Sequence, residues 1–221
     1  MKNQKIKIKI PLPQRNGSLV SRFVPIILIG ADTILDKKSR LYIRLLVRLI
    51  DKAFLEYKNA TELIEEELKT NDKFANRFNI INHLENSVSA ISRSIKILDI
   101  IINGKIIKKN INGSTVNQKI KNNIVILNFL SVSSIKKINN YKTSSIRNRI
   151  EHIDEDIYFN KFKKNLFLDI DGNYEKITIS NKFIMLTDYV KILEDYHSFV
   201  SEVFLKLPNR WENGKYYYDK K

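Results

Sequence analysis

Between residues 80 and 103 six large apolar side chains recur at alternating spacings of four and three: Leu84, Val88, Ile91, Ile95, Leu98 and Ile102. An α-helix gathers such positions on one face, because its 3.6-residue turn returns every third and fourth residue to the same side. At ~1.5 Å per residue the stripe runs about 28 Å and needs other helices to cover it. The chain is therefore predicted to be mainly α. Asn103-Gly104 supplies the stop signal directly after the stripe.

The flanking segments follow the same logic. Residues 20–35 are apolar and predict a short helix. From Lys38 to Tyr57 the pattern is helical, with Leu41, Leu45, Leu49 and Ala53 as the buried stripe and Tyr42 and Leu46 beside it. Arg40, Arg44 and Arg48 form a row on another side, either a solvated face or a ridge that tracks phosphates. Residues 61–69 predict a second, acidic helix or a bent continuation. Residues 120–138 predict one more helix. Thr143, Ser144 and Ser145 offer N-caps to a helix with Ile146, Ile150, Ile153 and Ile157 inward. Thr187 is the expected cap of a closing helix that runs to about Leu207, with Tyr189, Leu193, Tyr196, Val200 and Phe204 inward and Pro208 as its stop.

Strand signals are fewer. Residues 5–10 alternate Lys and Ile, which suits a strand or arm. Leu166–Ile170 and Tyr174–Ile179 flank Asp171-Gly172 and predict a hairpin. Residues 105–117, polar with Gly113, are expected to be a mobile connection, and Trp211–Lys221 a frayed tail. The resulting plan has an arm and short apolar segment over 1–37, a helical bundle over 38–207 with the hairpin at 166–179, and a basic aromatic tail over 208–221. No internal repeat or second domain is visible.

Charge narrows the partners. The 221 residues carry 39 Lys+Arg against 24 Asp+Glu, a formal charge of +15. That field favours a polyanion such as nucleic acid, although AT-rich coding also enriches Lys, Asn and Ile. Cys is absent, which excludes disulfides, thiolate catalysis and Cys-based zinc sites and makes a reducing cytoplasm the expected compartment. Met1–Ile10 lacks the continuous apolar run of a signal peptide. The most apolar run, Phe23–Ile29, contains Pro25 and is too short to span a bilayer, so no membrane partner is expected.

The charge is also clustered. No acidic residue lies between Asp99 and Glu151, whereas Lys105, Lys108, Lys109, Lys119, Lys121, Lys136, Lys137, Lys142, Arg147 and Arg149 all do. Phosphate binding explains such a window better than a salt-bridged surface, because each neutralised phosphate releases counterions. Lys105, Lys108, Lys109, Lys119, Lys121, Lys142 and Arg149 are the candidate RNA contacts.

The window runs into Arg147-Asn148-Arg149-Ile150-Glu151-His152-Ile153-Asp154-Glu155. On a helix Asn148 and His152 stand roughly 40° apart about the axis, with Arg147 adjacent and the Ile stripe turned away. An imidazole moves protons at neutral pH, and a guanidinium holds phosphate charge with a planar fork. These are the groups that RNA cleavage without a metal needs: proton transfer at the 2′-OH and the leaving 5′-oxygen, and charge stabilisation at phosphorus. One copy offers a single such imidazole, and a symmetric dimer offers an acid and a base. A lone His on a helix is, by default, structural. No paired-His metal motif, phosphate loop or serine-nucleophile motif occurs, so no metal or cofactor is expected. His83 is expected at the half-buried boundary of the long helix, and His197, among Tyr196, Phe199 and Val200, in a structural role.

Arg147-Asn148-x-x-x-His152 resembles the R-x4-6-H motif of the HEPN superfamily, and the longer string is similar to an RNxxEHxDER variant of it, with Asp156 where that variant has Arg. The resemblance implies a bundle of four to five helices, here with the hairpin inserted before the last. It also implies a homodimer with the motif in the dimer cleft, and a metal-independent endoribonuclease with Arg147, Asn148 and His152 as catalytic residues. Such a protein would be a toxin or defence effector, with a cognate antitoxin as a further partner. The resemblance equally covers non-catalytic members that bind RNA or protein.

Overall fold

The computed structural model describes residues 10–14, 18–70, 76–111, 114–142, 168–179, 182–207, 210–212 and 215–217. They are mainly helical. In chain order they form α1 (Leu19–Leu28), a 3-10 turn (Ala31–Ile34), α2 (Lys37–Thr70), α3 (Arg77–Asn103), β1 (Lys105–Ile111), β2 (Ser114–Ile120), α4 (Ile124–Leu127) and α5 (Val132–Lys142). After these come β3 (Leu168–Ile170), β4 (Lys176–Ile179), β5 (Lys182–Met185), α6 (Leu186–Phe204), β6 (Arg210–Glu212) and β7 (Lys215–Tyr217). Among the described residues no helix is long and apolar enough to cross a membrane. The predicted arm at 5–9 and the predicted helix at 143–157 lie outside the described residues.

Helix α2 is one continuous rod. The Asp36 carboxylate accepts the N–H groups of Lys38 and Ser39 at 2.8 and 3.0 Å and so satisfies orphan donors of the first turn. Hydrogen bonds from Ser39 hold the Asp36 carboxyl below its ordinary range. No Gly or Pro interrupts residues 37–70, so the acidic segment 61–69 continues the helix rather than starting another. The predicted buried stripe is corrected in part. Leu49 and Ala53 are buried, but Leu41 is 59% and Leu45 43% exposed. The core face is instead Ile43, Leu46, Val47, Ile50, Phe54, Tyr57 and Ile64. Two apolar stripes compete in this segment, and the one with more branched and aromatic bulk is buried. Arg40, Arg44 and Arg48 face outward to differing degrees, and Arg44 pairs with Asp32 at 2.7 Å.

Helix α3 packs antiparallel on α2. Its stripe Leu84, Val88, Ile91, Ile95, Leu98 and Ile102 is buried as predicted. Gly104, at φ 68°, closes it and donates its N–H to the Ile100 carbonyl at 2.9 Å. Ser87 links three helices: its hydroxyl donates to the Ala53 carbonyl of α2 and shares a 2.7 Å bond with the Tyr189 hydroxyl of α6. Burial raises the ionisation range of both Tyr57 and Tyr189, whose rings lie 5.7 Å apart. Phe23 of α1 stacks on Phe204 of α6 at 5.0 Å.

Five further expectations change. The supposed mobile connection at 105–117 is a hairpin, β1 and β2, in register from Lys105↔Ile120 to Ile111↔Ser114. Between the two strands the sequence reads Asn112-Gly113, a strong two-residue turn signal. The single helix expected at 120–138 is the end of β2, the one-turn α4, and α5. The hairpin expected at 166–179 is an antiparallel sheet in the order β3-β4-β5. Its turn is wider than Asp171-Gly172, with Tyr174 at φ 54° and buried within it. Strand β5 runs directly into α6, so Met185, not Thr187, takes the N-cap position, and it makes no side-chain bond there. The inward residues of α6 are those predicted. The helix itself ends at Phe204, and a single turn carries on to Leu207. In the tail, β6 and β7 pair, Trp211 facing Tyr216, so that part is ordered into strands rather than frayed.

Candidate nucleic-acid interface

Arg147, Asn148, Arg149 and His152 lie outside the described residues. The described residues nearest to them in the chain are Lys142 and Leu168. Helix α5, which ends at Lys142, packs on α3 and α6, and β3, which opens at Leu168, packs on α3.

The acid-free window begins on β1 and β2. The ladder pairs Lys105 with Ile120, Lys108 with Asn117, Lys109 with Val116 and Lys119 with Ile106. Lys121 follows β2 and is exposed. Asn123 then anchors the base of the hairpin. It is buried, accepts the Ile126 N–H at 3.0 Å and donates to Ser39 Oγ of α2 at 2.9 Å. Its own N–H donates to the Ile101 carbonyl at 2.8 Å. The hairpin therefore springs from a fixed point on the helical pair.

Lys136 and Lys137 are exposed on α5, and Lys137 meets Asp195 of α6 at 2.8 Å. That hydrogen bond, with the Asp195 charge, raises the Lys137 ammonium above its ordinary range. One cation of the window is thus compensated within the fold. His83 is half-buried, as expected, with Nδ1 2.6 Å from Glu56 Oε2. His197 is buried with its ring edge-on to Phe54, centroids 5.4 Å apart.

A polar cleft that sequence reasoning missed opens where α1, α5 and α6 meet. It encloses about 990 Å³, and Arg22, Ser131, Ser134, His197, Ser201 and Glu202 are among its lining residues. Arg22 Nη1 donates to Ser201 Oγ at 2.9 Å. Glu202 caps α5 from outside: Oε1 accepts the Ser131 N–H at 2.9 Å and Oε2 the Ser134 hydroxyl at 2.7 Å. The serines after Leu130 were the available signal, since Ser is a strong helix-start residue. Among the described residues no three His, Asp or Glu side chains come together as a metal-ligating group.

Comparison of the chain with protein-family models, with curated proteins and with solved structures finds no match.

Proposed function

We propose that this chain is a metal-independent endoribonuclease of HEPN-like build that acts as a homodimer through Arg147, Asn148 and His152. The observation that carries the reading is the acid-free stretch from Asp99 to Glu151 running into an Arg-Asn-x-x-x-His string. Its support in the fold is the mainly helical build and the β1–β2 hairpin, whose paired strands carry four of the window's lysines.

In this reading a neutral imidazole takes the proton of the ribose 2′-OH. The 2′-oxygen then bonds to phosphorus and the P–O5′ bond breaks. A protonated imidazole, from the second copy, returns a proton to the 5′-oxygen. The products are a 2′,3′-cyclic phosphate and a 5′-hydroxyl. Arg147 carries the charge that gathers on the phosphate oxygens, and Asn148 orients the phosphate or the imidazole by hydrogen bonds. In the cell the protein would be a cytoplasmic toxin or defence effector, with an antitoxin to hold it.

The hairpin favours a second reading, RNA binding without cleavage, because four of the window's lysines fall on its two strands, apart in the sequence from the motif. One experiment separates the two. Labelled RNA is incubated in EDTA with the native chain and with His152→Ala. The nuclease reading expects cutting by the native chain alone, and the binding reading expects equal retention of uncut RNA by both.

A further inference from the structure

Helix α2 has a second face besides its core face. Leu41, Leu45, Arg48 and Lys52 are exposed along it, and Leu55, Asn59, Glu62 and Glu66 continue the same line. The spacings are four, three, four, three, four, three and four, the heptad interval that keeps a seam facing a partner helix. Leu55 is more than half exposed. The seam is also polarised: basic in its first half and acidic in its second.

We propose that this seam pairs with the same seam of a second copy, antiparallel across a two-fold axis. A parallel copy would set Arg48 and Lys52 against their own kind. An antiparallel copy sets Arg48 against the partner's Glu66 and Lys52 against the partner's Glu62. Leu55 then faces Asn59, and all three pairs centre on position 57. One register therefore satisfies both charge pairs and brings the two Leu55 side chains together beside the axis. Such a surface is self-complementary, as an isologous interface must be. Within its own chain Glu62 meets Lys58 at 3.4 Å, but both are well exposed, so that contact is weak and yields to a better one.

The paired helices overlap over about 40 Å at ~1.5 Å per residue, and a strip about 10 Å wide buries on the order of 800 Å² in total. That is at the small end, the size of a weak, transient interface. The proposal stands on α2 alone and uses none of the residues assigned to RNA cleavage.

Sedimentation equilibrium of the full chain from about 1 to 300 µM tests it, with circular dichroism confirming the fold of each variant. The native chain is expected to dimerise. Lys52→Glu and Glu62→Lys each set like charges together twice per dimer and should weaken association about ten-fold or more. The two substitutions combined restore opposite charges and should recover the native constant to within about three-fold. A native chain that stays monomeric throughout, single variants that associate as tightly as the native chain, or a combined variant no better than the single ones, overturns the proposal; a dimer unmoved by the single substitutions removes the α2 seam and leaves the homodimer of the cleavage reading standing.

Discussion

Tyr174→Phe probes how the sheet is fastened to the helices. Glu67, near the end of α2, is buried, accepts the Asn76 N–H at 3.0 Å and accepts the Tyr174 hydroxyl. Arg77 stands 6.0 Å from the centre of the Tyr174 ring and pairs with Asp169 of β3 at 2.9 Å. One network thus joins α2, the start of α3, β3 and the turn. The Phe variant keeps the ring and its apolar burial but removes a donor from a buried carboxylate. Leaving such an acceptor short costs about 1–3 kcal/mol, the upper part applying to a charged group. For a chain of this length ~2–4 °C of Tm follows each kcal/mol, so Tm should fall by about 2–12 °C in thermal unfolding followed by circular dichroism.

The pH dependence carries a second, independent sign. Burial first, then the bond to Glu67, pushes the Tyr174 hydroxyl up to about 12. A folded value above the unfolded one of about 10 means stability that is fully present below pH ~10 and lost as pH rises toward 12. The gap between the native chain and Tyr174→Phe should therefore narrow over that window. A Tm within about 1 °C of native at pH 7, or a gap that widens with alkali, refutes the reasoning.

The other predictions concern the three-helix link and the basic hairpin. Ser87→Ala removes the shared hydroxyl between Ala53 and Tyr189 and should cost about 1–3 kcal/mol in urea unfolding, with little change in m. Because Lys108 and Lys119 lie on the paired strands β1 and β2, Lys108→Ala with Lys119→Ala should weaken RNA binding and lower its salt slope by about 1.4, at ~0.7 per single-strand phosphate contact. Unchanged affinity and slope would mean that these lysines do not contact the RNA.

Legibility from the sequence tracked how many signals agreed. The stripe of α3, its Gly104 stop and the inward face of α6 were all readable, because long periodic burial leaves little choice of face. The core face of α2 was not, since two apolar stripes overlap there and only tertiary packing selects between Leu41/Leu45 and Ile43/Leu46. Hairpin β1–β2 was hidden by its lysines and asparagines, which mask the alternation of a strand, although Asn112-Gly113 marked its turn. Strand β5 escaped because it passes into α6 with no breaker between them. The polar cleft depends on Glu202 reaching across to the start of α5, a contact between residues 71 positions apart that no local pattern announces. Arg147, Asn148, Arg149 and His152 rest on the sequence argument.

The central claim is that one imidazole and one guanidinium, brought together in pairs, cut RNA without a metal. Its most direct test is the chemistry of the cut ends. RNA treated with the native chain in excess EDTA should yield 2′,3′-cyclic phosphate and 5′-hydroxyl termini, and folded His152→Ala should yield none. Ends bearing 5′-phosphate, cleavage that requires added magnesium, or undiminished cleavage by His152→Ala would contradict it.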